Sequence, residues 1–249
     1  MHHFFVAPGQ IGDGRVHITG PDVNHMRNVL RMKTGEEVLI SDGTGQDYLC
    51  RVLSLEKEEA VAVIDSLCGE SRELPSRIWL FQGLPKSDKM DMIIQKAVEL
   101  GAAGIVPVAA KHSVVKLDAR KEDARMRRWR SIGESAAKQS KRSVMPEILG
   151  IMTLKEAFEY TEREKFHLRL IPYEHAEGME GTKKLLEQVA PGKNVAVFIG
   201  PEGGFDESEI RAALAMGIEP VSLGRRILRT ETAGLAVLSA LMLRLEGGL

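Results

Sequence analysis

Apolar and polar residues change places every one or two positions over the first seventy residues. Phe4–Ala7, Arg15–Thr19, Glu37–Ser41, Tyr48–Leu55 and Ala60–Ser66 each read as a short strand rich in Val, Ile and Leu. Turn residues at Gly12–Gly14 and Asp42–Gly45 separate them. One stretch breaks the rhythm: Pro21 and Asp22 open a run in which Val23, Met26, Val29 and Leu30 recur at helical spacing. A small β-barrel with one helix is predicted. Residues Gly69–Pro75 are polar and carry no period, so the expected division is a barrel over 1–70, a linker over 71–76 and a second domain over 77–249.

From Arg77 onward the pattern alternates between strand and helix. Strands are expected at Arg77–Phe81, Gly104–Ala109, Phe166–Ile171, Val195–Ile199 and Pro220–Leu223. Helices are expected at Ser87–Leu100, Lys121–Arg142, Leu154–Thr161, Thr182–Val189, Glu207–Met216 and from Thr230. Such alternation predicts an α/β fold with a mainly parallel sheet covered by helices. Ligands of these sheets sit beyond the carboxyl ends of the strands. The loops after Ile171, Ile199 and Leu223 are therefore the places to look for chemistry.

Charge changes this picture in one segment. The 249 residues (27.5 kDa) balance to a formal net of −1, which excludes a uniformly basic nucleic-acid coat. Residues 1–75 carry 7 basic and 12 acidic side chains, whereas 111–142 hold eleven Lys and Arg against four acids, a net of +7. A solvated helix with paired faces would account for that stretch, and so would a surface that contacts phosphates. No apolar run nears the roughly 18 residues of a membrane span. The first ten residues lack a charged start before a long apolar stretch, so no secretory leader is expected. Cys50 and Cys68 form no CxxC, and His25, His112, His167 and His175 show no metal spacing. A cytoplasmic protein without a metal is expected.

Two loops concentrate the remaining signal. Gly200–Phe205 reads GPEGGF, and Asp206 and Glu209 follow it at capping-box spacing. Its glycines permit a tight turn and a close approach to a ligand. Neither GxGxxG nor GxxxxGK[ST] occurs, which disfavours a dinucleotide or NTP site and a metabolic enzyme built on one. Leu223–Ala233 reads LGRRILRTETA, in which Arg225, Arg226 and Arg229 cannot all be buried without partners. The helix after it is apolar almost all round and is expected to be buried on every side, in part by a partner subunit. In the basic stretch Gln139 and Arg142 have the i, i+3 spacing of one helical face, and Lys96 has the same spacing to Glu99.

Together, MHHFFV, HMRNVLRM, Asp42–Gly45, KSDKMDMIIQKAVELG, AAKQSKR, IGPEGGF and LGRRILRTETA resemble the RsmE family of the SPOUT superfamily of knotted methyltransferases. Lys111 and His112 depart from the family's Glu-Arg before the Ser-Val-Val run. The resemblance implies a PUA-like RNA-binding β-barrel followed by a SPOUT domain with a trefoil knot. It implies methylation of uridine N3 in 16S ribosomal RNA, within the 30S subunit, by a homodimer that uses S-adenosylmethionine and releases S-adenosylhomocysteine. Carried over, the cofactor residues are Ile171, Pro172, Ile199, Gly200, Pro201, Glu202, Gly203, Gly204, Leu223, Gly224, Ile227, Leu228 and Arg229. Arg229 or Arg226 is the candidate for stabilising charge on the uracil oxygens, and Glu231 either orients that arginine or acts as base. RNA contacts are expected from Arg15, Arg27, Arg31, Lys33, Lys86, Lys89, Arg127, Arg128, Arg130, Gln139 and Arg142. The rival reading is a ribosome-assembly factor that binds RNA and catalyses nothing.

Overall fold

The computed structural model describes residues 1–69, 71–113, 119–174, 176 and 178–247. Lys116, within the basic stretch, and His175 lie outside the described residues. The chain forms two compact units, Met1–Glu73 with Ala137–Met145, and Leu74–Ala136 with Pro146–Leu249. The second stretch of the first unit falls inside the region read above as one continuous C-terminal domain.

The first unit is a six-stranded sheet of β1 (His2–Phe5), β2 (Ile11–Gly12), β3 (Arg15–Thr19), β4 (Glu37–Ser41), β5 (Asp47–Leu55) and β6 (Glu59–Cys68), in the order β1-β4-β5-β6-β3-β2. β1 pairs with β4 in parallel and the other neighbours are antiparallel. Period-two patterning explains the core: Val16 and Ile18 point inward while Arg15, His17 and Thr19 face water. Phe4, Val38, Ile40, Val52, Ala60 and Ala62 belong to the same core. The expected single helix is a short α1 (Pro21–Asn24) followed by a π-helical turn over His25–Val29. Leu30 N–H donates to His25 O at 2.9 Å across that wider turn, and Val23 and Met26 stay buried. Cys50 and Cys68 are free thiols, and burial pushes Cys50 up to about 12.

Arg142 does not sit on a helical face with Gln139. After α2 (Lys89–Glu99), the basic helix α3 (Ala119–Gln139) stops at Gln139, and Lys141 takes a left-handed φ of 58° that turns the chain. Arg142 is 4% exposed and donates to Glu73 at 2.5 Å. Glu73 also accepts from the N–H groups of Ser143 and Val144, at 2.9 and 3.1 Å. Ser143 Oγ donates to buried Asp47 at 2.7 Å, and Arg72 pairs with the same carboxylate at 3.2 Å. A buried guanidinium needs this partner set, and no phosphate can reach it.

The second unit is a seven-stranded parallel sheet of β7 (Arg77–Gly83), β8 (Gly104–Ala109), β9 (Glu147–Ile148), β10 (Met152–Thr153), β11 (Leu168–Pro172), β12 (Asn194–Ile199) and β13 (Glu219–Val221). Its order is β10-β8-β7-β12-β11-β13, with β9 also on β8. β7 and β12 are buried along nearly their whole length, as the uninterrupted runs IWLFQG and VAVFI require of central parallel strands. Helices α4 (Leu154–Arg163), α5 (Met179–Glu187), α6 (Glu207–Ala215) and α7 (Thr230–Leu245) complete the unit. Within the chain α7 buries Gly234, Val237, Leu238 and Leu241, while Ala236 and Leu243 face outward, on the side the expected partner subunit would cover.

Glu73→Ala removes the carboxylate from a buried arginine and is expected to cost about 3–5 kcal/mol. Urea unfolding should show a lowered midpoint, and adding Arg142→Met should recover part of the loss.

Candidate active site

The carboxyl ends of β7, β11, β12 and β13 open onto one side of the second unit. β7 ends in Gln82 and Gly83, and a Cβ on Gly83 would lie 2.6 Å from Pro201 N, so only glycine admits the loop after β12 at this distance. Gln82 is fully buried and donates to Thr230 Oγ1 at 2.8 Å. Thr230 Oγ1 in turn donates to Gly200 O at 2.6 Å. These two bonds join β7, the GPEGGF loop and the first residue of α7.

A cavity of about 450 Å³ lies between those loops. Ile199, Phe205, Leu223, Leu228 and Ala233 supply apolar wall, and Lys89, Glu174, Glu202, Arg225, Arg226 and Arg229 supply charge. Gly224 holds the arginine loop at a φ of 98°, in the left-handed region that favours glycine. Arg229 is the N-cap residue of α7, so its backbone turns into the helix at the cavity wall.

One ion cluster ties the loops from the charged side. Lys89, in the first turn of α2, pairs with Glu202 at 3.1 Å and with Glu231 at 3.2 Å. Glu202 also accepts the Lys86 N–H, at 3.0 and 3.2 Å to its two oxygens. Hydrogen bonds to Glu202 and Glu231 hold the Lys89 ammonium above its ordinary pKa. Partial burial opposes ionisation of Glu202, but backbone N–H groups and Lys89 outweigh it and bring its pKa below the usual value. Glu231 is lowered as well, first by its own backbone N–H and then by Lys89.

The GPEGGF loop is also held from outside the cavity. Asp206 caps α6 by accepting the Ser208 N–H at 2.9 Å, and Glu209 accepts the Asp206 N–H at 2.8 Å, which is the expected capping box. Lys111 N–H donates to Glu209 at 2.8 Å and its ammonium reaches Asp206 at 3.1 Å. His112 Nδ1 lies 3.0 Å from Gly203 O. The two residues that depart from the family pattern thus act on the back of this loop.

Most residues read from the sequence meet at the cavity: Pro172, Ile199, Gly200, Pro201, Glu202, Gly204, Leu223, Gly224, Arg226, Ile227, Leu228 and Arg229. Ile171 does not; it is fully buried in the core beneath the sheet. Gly203 does not line the cavity, because its Cβ direction points at His112 Cβ, 3.0 Å away. Ile227 lines the mouth and is 86% exposed, so it forms no enclosed slot. Glu231 pairs with Lys89, and Arg229 is the weakest of the groups that lower its pKa. Tyr173, Glu174, Phe205 and Ser222 were missed, and so were Gln82 and Thr230. Lys89 had a signal: it opens the helix that follows β7, whose carboxyl end faces the same side.

Of the expected RNA residues, Arg15, Arg27, Arg31, Lys33 and Gln139 are exposed on the first unit, and Lys86, Arg127 and Arg130 on the second. Arg128 is exposed but bound to Asp91 at 2.5 Å, and Lys89 is held by its two carboxylates. Lys96 pairs with Glu99 at 2.8 Å, as its spacing suggests. Among the described residues no group of three His, Cys, Asp or Glu could hold a metal ion, and no helix is long and apolar enough to cross a membrane.

Residues 72–242 match the RNA methyltransferase domain, and residues 18–65 match the RNA methyltransferase PUA domain. The ribosomal RNA small subunit methyltransferase E of Bacillus subtilis (strain 168) is 33% identical over 232 residues, covering 92% of this chain and 90% of that protein. The chain belongs to the RsmE family of RNA methyltransferases. An RsmE crystal structure from Neisseria gonorrhoeae bound to S-adenosyl methionine superposes with a TM-score of 0.84 at 34% identity, covering 96% of each chain. A methyltransferase from Legionella pneumophila in complex with the same cofactor gives 0.82 at 32% identity, again over 96% of each. The PUA match lies inside the first unit, and the methyltransferase match runs through the second as far as residue 242 and takes in residues 72–73 and 137–145 of the first.

Glu202 and Glu231 both titrate below the ordinary carboxylate value of 4.5. The stability they contribute is complete above that value and is lost as pH falls through their depressed values. Lys89→Met removes one cause of both shifts. Its melting temperature should therefore lie below the parent's at neutral pH, and the gap should narrow on acidification below about pH 4.5.

Proposed function

We propose that this chain transfers a methyl group from S-adenosylmethionine to N3 of a uridine in 16S ribosomal RNA. The observation that carries the reading is the cavity at the carboxyl ends of β11, β12 and β13, in a chain of the RsmE family. Its volume of about 450 Å³ lies in the range of small-molecule sites, roughly 300–1,000 Å³. Ile199, Leu223 and Leu228 suit the faces of an adenine ring, and the backbone of the glycine-containing loops can serve its edge. Glu202, on the same wall, suits a cationic sulfur. Bound there, the cofactor supplies an electrophilic methyl group on a sulfonium.

N3–H of uridine is weakly acidic, so negative charge grows on O2 and O4 as N3 becomes a nucleophile. Arg229 is the residue to stabilise that charge, because it stands at the cavity wall and at the positive end of α7. Arg226, also on the wall, is the alternative candidate from the same loop. Glu231 is a poor base in this setting, since its backbone bond and Lys89 favour its ionised form. Its role is to fix Lys89. RNA is captured by exposed basic residues of both units, among them Arg27, Arg31, Arg127 and Arg130. The substrate in this reading is the uridine within the 30S subunit, in the cytoplasm. A homodimer would cover the outward side of α7, where Leu243 is 44% exposed.

The reading is tested by nucleoside mass spectrometry of 16S RNA from cells lacking the protein, where N3-methyluridine should disappear. A titration of the purified protein with S-adenosylmethionine should show binding; RNA binding without cofactor binding would favour the assembly factor instead. Arg229→Ala should retain the cofactor and lose about 10²-fold in single-turnover rate. Arg127→Ala with Arg130→Ala should lower the slope of log RNA affinity against log salt by roughly 0.7–0.9 for each phosphate no longer neutralised, with cofactor affinity unchanged.

A further inference from the structure

We propose that the Glu202–Lys89–Glu231 bridge sets the preference of the site for the cationic methyl donor over its neutral, demethylated product. The proposal rests on the reading that the cavity holds S-adenosylmethionine. Donor and product share the adenosine and the amino-acid end and differ by one methyl group and one unit of charge at sulfur. Shape contacts therefore act on both alike, and fixed charge at the wall acts on their ratio.

Three arginines line the cavity, at 225, 226 and 229, and they oppose a bound cation. Glu174 on the wall and the bridge are the counterweights, and only the bridge joins its carboxylates through a lysine. Two carboxylates face one ammonium, at 3.1 and 3.2 Å, so the cluster carries a net −1 next to the cavity that Glu202 and Lys89 line. The carboxylates do not need Lys89 to stay in place. Glu202 is tethered by the Lys86 N–H, and Glu231 is fixed in the first turn of α7. Lys89 thus sets how much of the negative charge the cofactor feels. Its side chain is 31% exposed and those of Glu202 and Glu231 are 27% and 15% exposed, so water screens the effect without abolishing it.

Calorimetry of the full-length protein with S-adenosylmethionine and, separately, S-adenosylhomocysteine tests this. Lys89→Met should raise the donor-to-product affinity ratio about threefold to tenfold, and Glu202→Gln should lower it by a similar factor. Glu231→Gln should move the ratio the same way as Glu202→Gln. All these shifts should shrink in high salt. A ratio that stays at the parent value in Lys89→Met and Glu202→Gln, or moves the same way in both, overturns the proposal. So does loss of both ligands in Lys89→Met, which would make the lysine a structural prop. A parent protein that binds neither ligand defeats the cofactor reading itself, and the charge proposal with it.

Discussion

The pairing of β7 with β12 is the constraint on which the second unit depends. It runs in parallel from Arg77 opposite Asn194 to Gln82 opposite Ile199. That register puts the last residue of β12 beside the amide that holds Thr230, and puts Gly83 against Pro201. A slip of one residue would turn Gln82 to the other face of the sheet and leave its amide without Thr230. The cavity, the arginine loop and the start of α7 all take their positions from this register.

Electrostatics then divides the work among the loops. Guanidinium groups stand on the loop after β13, and carboxylates on the loop after β12 and on the first turn of α7. One lysine from the helix after β7 joins the two carboxylates. The arrangement keeps Glu202 and Glu231 ionised and therefore weakly basic. In the reaction proposed above, that leaves the guanidinium groups as the side that stabilises charge.

Sequence patterning made the regular parts visible and the irregular ones invisible. Arg15–Thr19, Glu37–Ser41 and Gly104–Ala109 match their strands residue for residue, because alternation or an unbroken apolar run states the burial directly. The strands β9 and β10 have two residues each, too few to show a period. The helical pattern of α3 runs on to Arg142 in the sequence because charged residues continue, whereas the left-handed turn at Lys141 leaves no mark there. Ile171 and Gly203 each stand one position from a true lining residue, Pro172 and Gly204. Motifs mark a loop but not which way its side chains face. The bridge from Lys89 to Glu231 spans 142 positions, and only the fold brings them together.

The same strand order has a consequence for the time course of synthesis. β8 follows β7 closely and can pair with it early, but the other neighbour, β12, begins 117 residues after Arg77. At about 5–20 residues per second, one edge of a nearly all-apolar strand emerges on the order of 5–25 s before its partner exists. Loops this long also make the closing step slow. The nascent chain therefore carries an open hydrophobic edge for many seconds, a natural point of engagement for a chaperone and the place where crowding or overproduction would first divert the protein into aggregates.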